Sequence, residues 1–387
     1  MTVNDYRFLW KERREKPAFL ALEDATVMRG YSVGAAVDGT GEVVFNTGLT
    51  GYQEILSDPS YDGQFVTMTY PEIGNTGVNS SDCESGGVYP NGFIIHELNV
   101  PENWRSEESL QSYLQRHQIP AIAGIDTRAL TSKLRDHGTM KGYLGVTGDV
   151  TPDEAVAMAN EWPGLDGQDY AARVTCNSTY VWDADGARTT TWGIAEELPE
   201  CSYSIVAYDY GIKWNIMRNL RLVGMDVSVV PATTTADDVL EMKPDAVFFS
   251  NGPADPAAVD YAVDNARALI GRVPIMGICL GHQLLGRACG ADTYRLKFGH
   301  HGCNHPVKEL ATGIIDITSQ NHNFAIDPES LKATDLEVTH INLNDQTVEG
   351  VRHQHEPMFA VQYHPEAGPG PHDPNYLFQR FKELIEA

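Results

Sequence analysis

From Ser204 onward the chain alternates between short apolar runs and longer stretches in which apolar residues recur every three or four positions. The first pattern predicts buried strands and the second predicts helices with one face inward. Strands are predicted over Ser204–Tyr208, Met225–Val230, Asp245–Ser250 and Ile275–Cys279. Helices are predicted over Lys213–Val223, Thr235–Met242, Ala257–Ile270 and Leu280–Ala288. In the third of these, Val259, Ala262, Val263, Ala266 and Ile270 form one stripe. Such alternation implies an α/β fold with a doubly wound, mostly parallel sheet and helices on both faces. Ligands then bind beyond the carboxyl ends of the strands. Residues 292–362 read as more strand-like and less regular, and Asn375–Glu386 as a closing helix.

The text before Ser204 is different. Ala18–Leu22, Glu42–Thr47 and Phe65–Tyr70 read as strands, and Ser106–His117 as a helix with Leu110, Tyr113 and Leu114 on one face. This predicts a mixed, strand-rich α+β domain. Thr151-Pro152-Asp153-Glu154 is a capping box with proline at the first helical position. Polar, turn-rich text follows up to Cys201. The expected organisation is a domain over 1–150 (with 1–16 an extension), a connection over 151–203 and a second domain over 204–387.

Composition narrows the function. The 387 residues carry a net charge of −25, which argues against binding nucleic acid or an anionic membrane. The six cysteines form no CxxC pair and no secreted-type framework, which fits a reducing, cytoplasmic setting. No apolar run reaches the roughly 18 residues that a membrane span needs. Met1–Lys16 has no apolar signal core.

The chemistry concentrates at Gly277-Ile278-Cys279-Leu280-Gly281. Glycine on both sides of a cysteine, between a predicted strand and a predicted helix, has the logic of a nucleophile elbow. The tight turn lifts the thiol clear, and the helix N-terminus favours negative charge on it. A second predicted strand, Phe359–Tyr363, runs into His364-Pro365-Glu366. Residues two apart along a strand point the same way, so His364 can act as a base with Glu366 as its orienter. Cys279, His364 and Glu366 together suit acyl transfer through a thioester.

Gly-Ile-Cys-Leu-Gly-His-Gln and Gln-Tyr-His-Pro-Glu resemble the two signatures of the triad, or class I, glutamine amidotransferases. Lys297–Gly302, Thr318–His322 and Pro369–Asp373 resemble one branch, the small, glutamine-hydrolysing subunit of carbamoyl-phosphate synthase. Phe45–Glu54, with Asp58–Tyr61 and Thr69–Asn75, resembles the N-terminal hallmark of that branch. The resemblance implies that L-glutamine is the substrate. It implies glutamine contacts at Gly48, Gly252, Ala254, Leu280, Gln283, Asn321, Asn323 and Phe324. It also implies a large-subunit partner that binds ATP and magnesium, with no cofactor in this chain and a product that feeds arginine or pyrimidine synthesis.

His300, His301, Cys303 and His305 crowd together, but their spacing matches no common zinc pattern, and the resemblance supplies no metal. The expectation is therefore no metal. Two other classes compete: a stand-alone γ-glutamyl or peptide hydrolase, and a non-catalytic regulatory subunit. Within the amidotransferases, subunits serving other synthases share the triad but lack the Phe45–Glu54 text.

Overall fold

The computed structural model describes residues 14–191 and 197–387. The extension expected over 1–16 therefore falls almost wholly outside the described residues. The chain divides into two compact units, 1–165 and 166–387.

The first unit is built on a closed barrel. Its strands are β1 (Pro17–Leu22), β2 (Val27–Ser32), β3 (Gly39–Asn46), β4 (Gln64–Met68), β6 (Gly92–Ile94), β8 (Ala121–Ala123) and β9 (Met140–Gly145), in the order β1-β2-β8-β6-β4-β3-β9. Two short strands, β5 (Glu72–Ile73) and β7 (Glu97–Leu98), pair separately. Closure explains why β1 reads as an almost unbroken apolar run and why β4 is buried throughout, Gln64 and Thr67 included. One cluster, including Leu20, Val43, Phe65 and Leu144, packs with Leu130 and Leu134 of the helix Thr127–His137. That helix is started by Asp126, whose carboxylate accepts from the Ala129 N–H at 2.9 Å.

The capping box at Thr151 is present, with its side chain and that of Glu154 satisfying each other's backbone. The helix it starts, Pro152–Glu161, lays Ala155 and Ala159 against Phe19, Ala21 and Tyr143 of the barrel. The helix read over 106–117 is shorter, Leu110–Arg116, with Ser109 as its N-cap. The Glu108 carbonyl instead accepts from Val78 N–H in a bridge, which holds the preceding residues extended.

The second unit carries a ten-stranded sheet. Its strands are β10 (Tyr180–Val181), β11 (Tyr203–Asp209), β12 (Met225–Pro231), β13 (Ala246–Phe249), β14 (Ile275–Ile278), β15 (Thr293–Glu309), β16 (Ile315–Ile326), β17 (Leu336–Asn342), β18 (Val348–His353) and β19 (Met358–Val361). The order is β10-β12-β11-β13-β14-β19-β18-β17-β15-β16. From β12 to β19 the neighbours are parallel. From β19 to β16 they are antiparallel, which accounts for the irregular, strand-like text after residue 292. Helices cover both faces. Asp260–Leu269 and Leu280–Ala288 pack on one face, and Trp214–Leu222 and Tyr376–Glu386 on the other. The doubly wound reading therefore holds for the second unit, and the strand-rich reading for the first. No helix among the described residues is long and apolar enough to cross a membrane.

Candidate functional site

Four parallel strands end on the same side of the sheet, and each delivers part of the site from its carboxyl end. β14 delivers Cys279. The cysteine sits at φ 55°, ψ −104°, between the strand and the helix Leu280–Ala288. A positive φ on a residue with a Cβ costs energy and persists only when its surroundings impose it. Here they do. The Cys279 N–H donates to Val361 O at 2.9 Å, and Gly281 N–H donates to Ser250 O at 3.0 Å. A Cβ on Gly281 would lie 2.1 Å from Phe249 O, so only glycine lets the helix come this close to β13.

β19 leads into His364. Its N–H donates to Ser319 O of β16 at 2.9 Å. Its Nδ1 lies 2.6 Å from Glu366 Oε1, and Nε2 has no hydrogen-bond partner of normal geometry among the described residues. Both side chains are buried. Burial alone would lower the pKa of His364, but the Glu366 carboxylate and the Cys279 thiol outweigh it and push it up to about 10. The carboxylate of Glu366 is penalised by burial too, and is nevertheless held below its usual range by the charges of Lys213 and His364.

Lys213 went unnoticed in the sequence. It follows β11, and its ammonium lies 3.1 Å from Glu366 Oε1 while donating to Ala367 O at 2.5 Å. The loop that carries it is shaped by Asp209, which accepts from Gly211 and Ile212 N–H, each at 2.9 Å. Its backbone N–H donates to Asn251 Oδ1 at 3.2 Å, tying it to the loop after β13. Its position just past the carboxyl end of a parallel strand was the signal that could have found it.

The other expected residues fall in three places. Leu280, Gln283, Asn321, Asn323 and Phe324 are all buried around the elbow. Cys279 Sγ donates to Asn321 O at 3.5 Å, and Gln283 Nε2 donates to Phe324 O at 2.7 Å. Gly252 and Ala254 lie on the loop after β13. A Cβ on Gly252 would stand 2.0 Å from Tyr210 O. Ala254 and Asn323 are not among the non-glycine residues of positive φ, so both rest on ordinary backbone. His301 joins two of these residues: Nδ1 lies 3.0 Å from the Asn321 amide and Nε2 3.0 Å from that of Asn323. Burial lowers its pKa to about 4, so the ring is neutral, with one N–H. One of the two amides therefore turns its nitrogen toward the ring. Gly48 belongs to the other unit, where its N–H donates to Asn46 Oδ1 at 2.7 Å.

Residues 206–384 match the family described as glutamine amidotransferase class-I, and residues 20–144 match the carbamoyl-phosphate synthase small chain, CPSase domain. A carbamoyl phosphate synthase small chain from Syntrophotalea carbinolica is 53% identical over 370 residues, covering 95% of this chain and 98% of its own. The chain belongs to the carbamoyl-phosphate synthase small-chain family. The small chain of Akkermansia muciniphila is 51% identical over 371 residues, covering 96% and 98%. A chloroplastic small chain of Oryza sativa is 49% identical over 370 residues, covering 95% and 82%. Membership carries the family's function, that of a glutamine-hydrolysing small chain, and a small chain implies a large-subunit partner in general.

Proposed function

We propose that this chain is cytoplasmic, hydrolyses L-glutamine at Cys279 and passes the ammonia to a separate large subunit that makes carbamoyl phosphate. The observation that carries the reading is the convergence, at the carboxyl ends of β14 and β19, of a cysteine at positive φ with a buried His364–Glu366 pair. The Cys279 sulfur attacks the side-chain carboxamide carbon, and the thiol proton goes to His364 Nε2. The carbonyl oxygen becomes an oxyanion, stabilised by the Leu280 N–H and by backbone donors of the loop that carries Gly252 and Ala254. The C–N bond breaks as His364 returns the proton to the leaving amine, which departs as ammonia. A water, giving its proton to His364, then attacks the γ-glutamyl thioester; the C–S bond breaks, His364 returns the proton to the Cys279 sulfur, and glutamate leaves. The buried Glu366 carboxylate at Nδ1 favours the imidazolium that forms, so the proton taken from the thiol is held at Nε2 until the leaving amine needs it.

Gln283, Asn321, Asn323 and Phe324 are assigned to the substrate. ATP and magnesium belong to the large subunit, and this chain needs no cofactor for hydrolysis. The test is ammonia release from glutamine by the chain alone and with a cognate large subunit, wild type beside Cys279→Ser. Slow release alone, acceleration by the partner with ATP, and loss in the variant are expected. Fast release indifferent to any partner would replace this reading with an independent hydrolase.

A further inference from the structure

The histidine-rich segment of β15 does not act as one group. His301 turns to Asn321 and Asn323, and Cys303 packs against Ser319 and Pro369. His300 faces the other side of the strand, where it meets His322 of β16 and Glu349 of β18. One ligating atom from each of these three lies within 4.8 Å of the others, and all three residues are buried. His300 Nδ1 is 3.5 Å from Glu349 Oε1, and His322 Nε2 is 4.0 Å from the same oxygen.

The surroundings already hold the rings as an outer shell would. His300 Nε2 is 2.8 Å from Asp345 Oδ2, which leaves Nδ1 facing inward without a hydrogen-bond partner among the described residues. His322 Nδ1 is 2.8 Å from Phe324 O, which leaves Nε2 facing inward. Glu349 is braced by Gln320 Nε2 at 3.0 Å and Asn342 Nδ2 at 3.1 Å. A far ring nitrogen on a carboxylate or carbonyl, with the near nitrogen open, is how proteins orient histidine ligands.

One further contact asks for a positive charge. His322 Nε2 also lies 2.9 Å from Gln320 Oε1. The Gln320 amide cannot be turned over, because its nitrogen donates to Glu349 and, at 3.1 Å, to Thr318 Oγ1. A neutral His322 therefore has one N–H for two carbonyl acceptors. A cation beside Nε2 and Oε1 removes that conflict and takes Gln320 Oε1 as a fourth ligand.

We propose that His300, His322 and Glu349 bind one divalent transition-metal cation of the zinc class, on the side of β16 opposite Asn321 and Asn323. Two imidazoles and a carboxylate are borderline ligands of the kind zinc accepts. Ligands about 2.1 Å from one tetrahedral ion lie about 3.4 Å apart, so shifts below an ångström in each side chain close the set. The spacing matched no zinc pattern because the ligands come from three strands. Asp345, 42% exposed, marks the side from which an ion would enter.

The test uses the full chain, stripped with a chelator and titrated with Co2+ followed by visible absorption, then with Zn2+ as competitor. One equivalent of Co2+ with d–d bands, displaced by Zn2+, is expected. Glu349→Gln should abolish uptake. Asp345→Asn, at a half-exposed position that leaves the core intact, should weaken it about 10- to 100-fold. His353→Gln, at the last residue of β18 and four residues on from Glu349, should leave it unchanged. No uptake by the wild type, full uptake by Glu349→Gln and Asp345→Asn, or loss in His353→Gln would each overturn the proposal.

Discussion

The Lys213 ammonium lies 3.1 Å from Oε1 of Glu366, and the two side chains are 2% and 0% exposed. The same oxygen holds His364 Nδ1 at 2.6 Å. A single carboxylate oxygen thus joins the His364 imidazole to a buried cation that follows β11. Removing one member of a buried ion pair strands the other, at a cost of roughly 3 kcal/mol or more. Lys213→Met should therefore lower the urea midpoint of the second unit. It should also lower kcat for glutamine more than it raises KM, since it disturbs the orientation of His364 and not the substrate contacts. A variant with wild-type kcat would show that the lysine serves folding alone.

The elbow leaves no room for a side chain at residue 281. Gly281→Ala places its Cβ 2.1 Å from Phe249 O, a backbone atom that cannot step aside. Overpacking of this kind costs about 1–3 kcal/mol, and here the strain falls on Cys279 itself. Glutamine hydrolysis should be lost while the chain still folds. Gly86→Ala, where an added Cβ meets nothing within 4 Å, is the matched control and should leave both thermal stability and activity unchanged.

The folded-state pKa of His364, about 10, lies above its ordinary value of 6.5. A raised histidine pKa contributes stability that is complete below pH 6.5 and is lost as the pH climbs through 10. The urea midpoint of the wild type should thus fall between pH 7 and 10 more steeply than that of His364→Gln. Parallel slopes would mean that the imidazole carries no such linkage. Glu366, held below its usual range, works in the opposite direction and adds stability that is lost only under acid conditions.

Ala254 and Asn323 stand on ordinary backbone, so glycine has no conformational advantage there. Ala254→Gly should cost about 0.4–1 kcal/mol of stability through the unfolded chain and leave KM for glutamine unchanged. Asn323→Gly releases His301 Nε2, and its effect should therefore appear in KM. A large KM improvement in Ala254→Gly would refute this account of the loop.

What the sequence disclosed was local. Cys279 between two glycines, and His364 two residues before Glu366, are signals written within a single turn or a single strand. The parallel sheet was equally legible, because alternation of strand and helix restricts topology. Barrel closure was not, since it depends on β1 pairing with β9, and nothing within either strand specifies that partner. Lys213 was hidden for a similar reason. A lysine at a helix start reads as solvent-exposed until folding brings Glu366 and Ala367 over it. Glu349 comes beside His300 and His322 only because β18, β17, β15 and β16 form one antiparallel run of the sheet.

β16 is read on both sides at once. Asn321 and Asn323 look toward His301 and the elbow, while Gln320 and His322, one step out of phase, look toward Glu349. A single inserted or deleted residue would exchange the two sets, putting each on the wrong side of the sheet. Within this strand, sequence drift can therefore proceed only by substitution. Length change is confined to the tip of the hairpin near Gly313, where an added Cβ would meet nothing, and that tip is the natural place to splice in a tag or a fluorescent reporter.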